Sequence, residues 1–283
     1  GDVMPARRMA DADRFRSASR LERAVARLRA RGGGGAPPIL KRAYEYLLDH
    51  LPGDHLQARL PGGERVKLSA RYRHLSWNPQ EYAAFREVVR PGAVVFDVGA
   101  NVGAYALVFA EWVGPRGRVY AFEPAPDARE GLLTHLRLNH LDDRVEVSDA
   151  AMSSAVGRAA FGLHPSGGAS SLQIDSVDRA RVIEVPAETL DHFCASRGVQ
   201  PDVIKIDVEG AELDVLRGGR ETLTRPGIQV FVEFHPVVWA STGIGRADID
   251  AELARHGFSA EGIDPAFDPW NTEGMTVRLG RLV

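Results

Sequence analysis

Two groups of residues in this chain of 283 could do chemistry. The first is Asp97, Gly99, Asn101 and Gly103, which interrupt the apolar run VVFDVGANVGAYALVFAEW at its centre, together with Glu123 at the end of the next apolar run. The glycines let the backbone turn sharply and approach a ligand, and a helix beginning after such a turn presents free N–H groups. A dinucleotide fingerprint needs G-x-G-x-x-G and an acid about 20 residues on. Here the spacing is G-x-x-x-G, Asp97 precedes it, and Asn101 stands where a second glycine would admit a pyrophosphate. A phosphate-loop pattern G-x-x-x-x-G-K-[ST] is absent from the sequence. The arrangement suits an adenosine without phosphates, with Glu123 accepting both ribose hydroxyls and Asp97 anchoring an amino group. The second group is acidic: Asp207, Glu209 and Glu212 in KIDVEGAELDVL, and Glu233 with His235 in VFVEFHP. An imidazole with an unperturbed pKa of about 6.5 is mostly neutral at physiological pH and can take a proton. Asp207, Glu233 and His235 are also a donor set for a divalent metal.

These residues need elements to hold them. From residue 79 onward, strand-like and helix-like runs alternate: EYAAFREVVRPG, AVVFDVG, GAYALVFAEWVG, GRVYAFEP, PDAREGLLTHLRLNHL, RVEVSDAA, DVIKIDVEG, AELDVLRGGRETL, IQVFVEF and RADIDAELARHGF. Such alternation predicts a parallel sheet with helices on both faces and a ligand crevice at the strands' carboxyl ends. Both groups fall at such ends. Alternation along VFVEFH places Glu233 and His235 on one face. Glu212 falls in a first helical turn, where negative charge offsets the helix dipole. The closing runs FSAEGID and MTVRLGRLV have no helix between them and predict a hairpin that adds one antiparallel strand. GLHPSGGASSLQID, residues 162–175, breaks the alternation as a flap or a solvated loop would. Trp239 and Trp270 lie on loops that could reach an acceptor.

Before residue 79 the organisation differs. Residues 1–38 form an Arg- and Ala-rich arm ending in RGGGGAPP; residues 39–78 give a one-faced helix, ILKRAYEYLLDHL, and a hairpin about Pro61-Gly62-Gly63. The arm is either solvated, or a helix that packs on a second subunit or caps the site. The main domain is 79–283. With 44% hydrophobic and 26% charged residues and a net charge of −3, the chain has globular composition and no electrostatic footprint for nucleic acid or an anionic membrane. A small-molecule partner is expected. The central acid, amide and glycines argue against residues 94–112 as a membrane span. The start of the chain lacks a signal-peptide pattern, and a cytoplasmic location is expected. Cys194 is the one cysteine and reads as core packing beside Leu190 and Phe193.

FDVGANVGAYALVFA, VYAFEPAPDAREGLLTHLRLN, VIKIDVEGAELDVLRGG and VFVEFHP, in this order, resemble the motifs of the FkbM family of S-adenosylmethionine-dependent methyltransferases. The resemblance implies a Rossmann-like α/β fold with a seven-stranded, mostly parallel sheet in the order 3-2-1-4-5-7-6. It also implies methyl transfer, most often to a hydroxyl of a polyketide, sugar or glycolipid, with S-adenosylhomocysteine as product. Carried over by position, Asp97, Gly99, Asn101, Gly103, Glu123, Asp149 and Ala150 would bind the cofactor, and Asp207, which precedes the turn at its strand's end, is expected to point into the same crevice. His235, Asp207 and Glu233 would be catalytic, with His235 as general base; Glu209, Trp239 and Trp270 would meet the acceptor. A divalent metal is the less favoured way to acidify the hydroxyl. A nicotinamide oxidoreductase and a non-catalytic S-adenosylmethionine-binding subunit are the competing readings.

Overall fold

The computed structural model describes residues 55–73, 75–163, 181–239, 242–263, 268, 270 and 275–282. The arm, the helix expected over 39–51 and most of the 162–175 loop lie outside these residues. A hairpin comes first, β1 (His55–Arg59) with β2 (Arg65–Ser69). Then follow α1 (Pro79–Val88), β3 (Val94–Val98), α2 (Ala104–Val113), β4 (Arg118–Phe122), α3 (Pro126–Leu138), β5 (Val145–Ser148), β6 (Ala151–Met152), β7 (Gly157–Gly162), β8 (Val182–Glu188) and α4 (Leu190–Arg197). The chain continues through β9 (Val203–Ile206), α5 (Glu212–Arg217), α6 (Arg220–Leu223), β10 (Gln229–Phe234), α7 (Pro236–Trp239), α8 (Arg246–Arg255), β11 (Phe258–Gly262) and β12 (Met275–Arg281).

Seven strands form one sheet in the order β11-β12-β10-β9-β3-β4-β5. Counted along the chain this is the expected 3-2-1-4-5-7-6. Strands β3, β4, β5, β9 and β10 pair in parallel, and β12 runs antiparallel to both β10 and β11. The final pair is thus a hairpin whose second strand inserts between its first and the parallel block.

The pleat divides the core in two. Val95, Val119, Val203 and Phe231 face the side covered by α1 and α2, where the Phe85 ring packs tilted against Phe231 with centroids 4.7 Å apart; Phe96, Phe122, Ile204 and Phe234 face the other side, with Phe193 and Leu216. Fully burying each such side chain is worth about 1.5–3 kcal/mol. The same period of two puts Asp97, Lys205 and Glu233 on the α1/α2 face, in the row that continues Val95, Val203 and Phe231 toward the carboxyl ends. Asp97 sits directly opposite Lys205, and Glu233 opposite Thr276. Strand pairing therefore gathers the charged row.

Two features differ from the sequence reading. AELDVLRGGRETL is two helices, α5 and α6, parted at Gly218-Gly219; a Cβ on Gly218 would lie 2.1 Å from the Ser153 carbonyl oxygen, so the chain passes too close for a side chain. Residues after β5 form a second, three-stranded sheet, β6-β8-β7, with β7 antiparallel and β6 parallel to β8. The N-terminal hairpin is anchored by Asn139, whose side chain accepts from Lys67 N–H at 2.8 Å and donates to Lys67 C=O at 2.7 Å, as a strand neighbour would.

Candidate active site

The end of β3 makes the first wall. Gly99 adopts φ +82° and Asn101 φ +50°, and a Cβ on Gly99 would fall 1.7 Å from the Asp207 carbonyl oxygen. Only glycine lets the turns after β3 and β9 meet this closely. Gly103, at φ +95°, is the N-cap of α2 and is packed against Leu132 rather than exposed to the crevice. Glu123 closes β4, 6% exposed; Oε2 accepts Asn101 N–H at 2.7 Å and Oε1 accepts Ala125 N–H at 2.8 Å. Burial pushes its pKa up to about 7, against those two bonds and Arg129, which favour the anion.

Between these turns opens a cleft of about 570 Å³, its mouth included. Gly99, Asn101, Glu123, Ala150, Asp207 and Glu209 line it, with Phe122, Met152 and Phe161 supplying apolar surface. Among the described residues no lysine or arginine lines it, so nothing there would neutralise a pyrophosphate. The donor set fits S-adenosylmethionine. Each Glu123 oxygen keeps a lone pair after its backbone bond, enough for one ribose hydroxyl each, and the apolar wall offers a face for a purine.

Besides Gly103, two expected cofactor ligands stand elsewhere. Asp97, expected to anchor an amino group, is fully buried and does not line the cleft. It is on the covered face of a central strand, and Lys205 Nζ is 3.7 Å away. Burial raises its pKa, with Lys205 opposing. Asp149 is exposed and off the cleft, whereas its neighbour Ala150 lines it.

Next to the cleft, side chains from β9, β10 and the turns after them converge on one imidazole. His235 Nε2 lies 3.8 Å from Asp207 Oδ1, 3.5 Å from Glu209 Oε2 and 3.8 Å from Glu233 Oε1. On its other side Nδ1 is 2.8 Å from Glu212 Oε1. Glu212 was read as a dipole-offsetting acid; it is fully buried and accepts from His235, from Trp239 Nε1 at 2.7 Å and from Gly210 N–H at 2.7 Å. A carboxylate accepts, so Nδ1 donates, and the tautomer and ring orientation of His235 are fixed. Desolvation disfavours its cation, but Glu212, Asp207 and Glu209 outweigh it and raise the pKa to about 10. Burial and crowding of like charges raise Glu209 to about 7 and Glu233 to about 8.

Trp239, expected on a loop facing an acceptor, is instead in α7, 2% exposed and bonded to Glu212. Trp270 is half-buried, stacked on Phe234 at 5.1 Å and 14°, with the Arg246 guanidinium 4.5 Å from its ring centre. Lys205 was not singled out from the sequence. It is 5% exposed, 3.2 Å from Asp207 Oδ2 and 5.4 Å from the centre of the Tyr105 ring, and the surrounding carboxylates hold its pKa well above the usual range. Tyr105 and Thr276 both donate to Glu81 beneath it. The readable signal was a charged residue inside the fully buried run VIKI, which requires partners.

Comparison with known proteins adds an independent line. Residues 97–260, more than half of the chain, match the methyltransferase FkbM domain. The chain is 30% identical over 253 residues to the AMB antimetabolite synthetase AmbE of Pseudomonas aeruginosa, covering 72% of this chain and 11% of that protein. It is 32% identical over 200 residues to the 31-O-demethyl-FK506 methyltransferase FkbM of Streptomyces tacrolimicus, 60% of this chain and 74% of that one. It is 31% identical over 154 residues to the 2-O-methyltransferase NoeI of Sinorhizobium fredii, 48% of this chain and 61% of that one.

Proposed function

The chain belongs to the FkbM methyltransferase family, and from that premise we propose that it is an S-adenosylmethionine-dependent O-methyltransferase acting on a hydroxyl of a small molecule of polyketide, sugar or glycolipid type. The observation that carries the reading is the juxtaposition of a cleft suited to an adenosine without phosphates and the Asp207–Glu233–His235 cluster beside it, with Asp207 common to both. The names of two relatives specify methylation at oxygen, which supports the choice of atom. A non-catalytic binding subunit would have no use for the cluster.

When bound, S-adenosylmethionine supplies a methyl group on a sulfonium, open to in-line attack. The protein's part is to hold and orient. Glu123 holds the ribose hydroxyls, Gly99 and Asn101 bring backbone against the cofactor, and the apolar wall keeps water from the purine. Asp207 and Glu209 stand where the cleft meets the cluster and orient the acceptor hydroxyl, whose proton passes to the cluster. Lys205, bonded to Asp207 Oδ2, turns the other oxygen of that carboxylate toward His235. Orientation of this kind supplies a large share of the acceleration of a two-substrate transfer.

The test is a pair of measurements. S-adenosylhomocysteine, but not NAD, should raise the melting temperature, by the mass-action stabilisation of a ligand that binds only the folded state. Isotopically labelled S-adenosylmethionine incubated with a small-molecule extract should then yield a labelled methyl ether. Stabilisation by NAD alone, or a label appearing only on nitrogen or carbon, would reject the reading.

A further inference from the structure

We infer that Asp207 Oδ1, Glu233 Oε1 and His235 Nε2 form a binding site for one divalent cation, of the Mg²⁺ or Mn²⁺ class, beside the cofactor cleft. One ligand atom from each residue lies within 4.8 Å of the others. The inference rests on the placement of the acceptor site at this cluster, and deepens that reading.

The tautomer makes the first argument. Glu212, fully buried and held by Trp239 and Gly210, receives the Nδ1 proton, so the Nε2 lone pair of the neutral ring is the electron pair aimed at the three carboxylates. A lone pair facing carboxylate oxygens is repulsive unless a positive charge stands between them. A proton on Nε2 supplies that charge only at long range, because all three oxygens stay 3.5–3.8 Å from the nitrogen, beyond a bond of about 2.7–3.2 Å, whereas a divalent cation in its place would contact the nitrogen and the oxygens together.

Spacing makes the second. An ion about 2.1 Å from each ligand at tetrahedral or octahedral angles sets neighbouring ligand atoms roughly 3.0–3.4 Å apart. Both ligand oxygens lie 3.8 Å from Nε2, which exceeds the octahedral spacing by about 0.8 Å, a gap that side-chain rotations close. The supporting partners are also those a metal site needs. A ligating histidine commonly donates its other N–H to a carboxylate, as His235 does to Glu212, and a ligating carboxylate is itself bonded, as Asp207 is to Lys205. One imidazole with two carboxylates is a hard, oxygen-rich set, which favours Mg²⁺ or Mn²⁺ over ions that seek sulfur. A cation there would face a hydroxyl entering beside Asp207 and make it more acidic.

Mn²⁺ is the probe, with the full chain freed of metal by chelation and dialysis. Electron paramagnetic resonance titration should show one bound ion per chain, and pulsed measurements on wild-type protein should show nitrogen coupling from one imidazole. His235→Ala and Glu233→Gln should each weaken Mn²⁺ binding at least tenfold, and Glu212→Gln by about 10- to 100-fold through loss of ring orientation. S-adenosylhomocysteine affinity, measured on the same samples, reports that each variant is folded. Absence of stoichiometric Mn²⁺, or bound Mn²⁺ without nitrogen coupling, overturns the site, and so does affinity unchanged in folded variants. Retained S-adenosylhomocysteine binding in those cases leaves the methyltransferase reading standing, so the two fail separately. The wild-type spectrum needs no variant to fold.

Discussion

Binding of S-adenosylhomocysteine should strengthen as pH rises through neutrality, because Glu123 must ionise to serve the ribose. Its carboxyl is 6% exposed, and burial lifts it from an ordinary 4.5 to about 7. That rise corresponds to about 3 kcal/mol in favour of the protonated form. Hydroxyls donating to both oxygens favour the anion, so the complex forms from the ionised protein and sheds a proton. With a free-protein value of about 7, the apparent dissociation constant should fall about tenfold between pH 6 and pH 8 and level off above. The same group acts on stability with the opposite sense. Its folded value lies above its unfolded one, so its contribution is fully present below about 4.5 and is lost as pH climbs through about 7. The ligand-free protein should therefore lose stability from this group over the interval in which it gains affinity. Calorimetry at pH 6, 7 and 8, in buffers of different ionisation enthalpy, measures both affinity and proton release. Adenosine serves as a second ligand with no group titrating in this range. Glu123→Gln should flatten the profile and weaken binding by about 10- to 150-fold, the loss expected for hydrogen bonds to a charged acceptor. A flat wild-type profile without proton release would refute the assignment of Glu123 to the ribose.

Three substitutions probe the scaffold. Trp239→Phe removes one of the three donors to fully buried Glu212 and should cost about 1–3 kcal/mol in urea unfolding. Gly99→Ala puts a side chain at φ +82° and against the Asp207 carbonyl, and should weaken S-adenosylhomocysteine binding more than about tenfold in calorimetry, beyond the roughly 1–2 kcal/mol of backbone strain. Asn139→Ala strips both partners from the Lys67 backbone and should lower stability by about 1–3 kcal/mol in thermal melts, leaving S-adenosylhomocysteine affinity unchanged.

The sheet was legible because each strand announced itself locally. Runs such as AVVFDVG and IQVFVEF are short, apolar and bounded by turn residues, and the helices between them allow few topologies. Strand β8 lacked that clarity. Pro186 lies inside it, and a proline demotes a run to an edge. The structure admits it because β6 is only two residues long and pairs with Ala187 and Glu188, so among the described residues no strand on the β6 side of β8 pairs with Pro186 to miss the absent N–H. The cleft residues that sit in turns, Gly99, Asn101, Glu123 and Asp207, were also readable, since a turn at a strand's carboxyl end faces the crevice whatever its neighbours are.

What local pattern could not reveal was which charges meet behind the cleft. Asp97 and Lys205 are 108 residues apart and become opposite numbers only through the register of β3 with β9. Alternation alone said that Asp97 alternates with Phe96 and Val98, not that the face it joins is covered by α1 and α2. Once covered, a lone carboxylate would be costly, and Lys205 at 3.7 Å offsets that cost while also binding Asp207 at the rim. Glu212 was misread for the same reason: a first-turn acid looks like dipole compensation until β10 delivers His235 beside it, 23 residues later. Asp97 and Glu212 therefore act through partners that another strand, or the turn after it, delivers. Lys205 couples Asp97 to Asp207, and Glu212 couples Trp239 to His235. The reactive end of the site is held from behind by buried charge, so substitutions that never touch the cleft should still alter what happens in it.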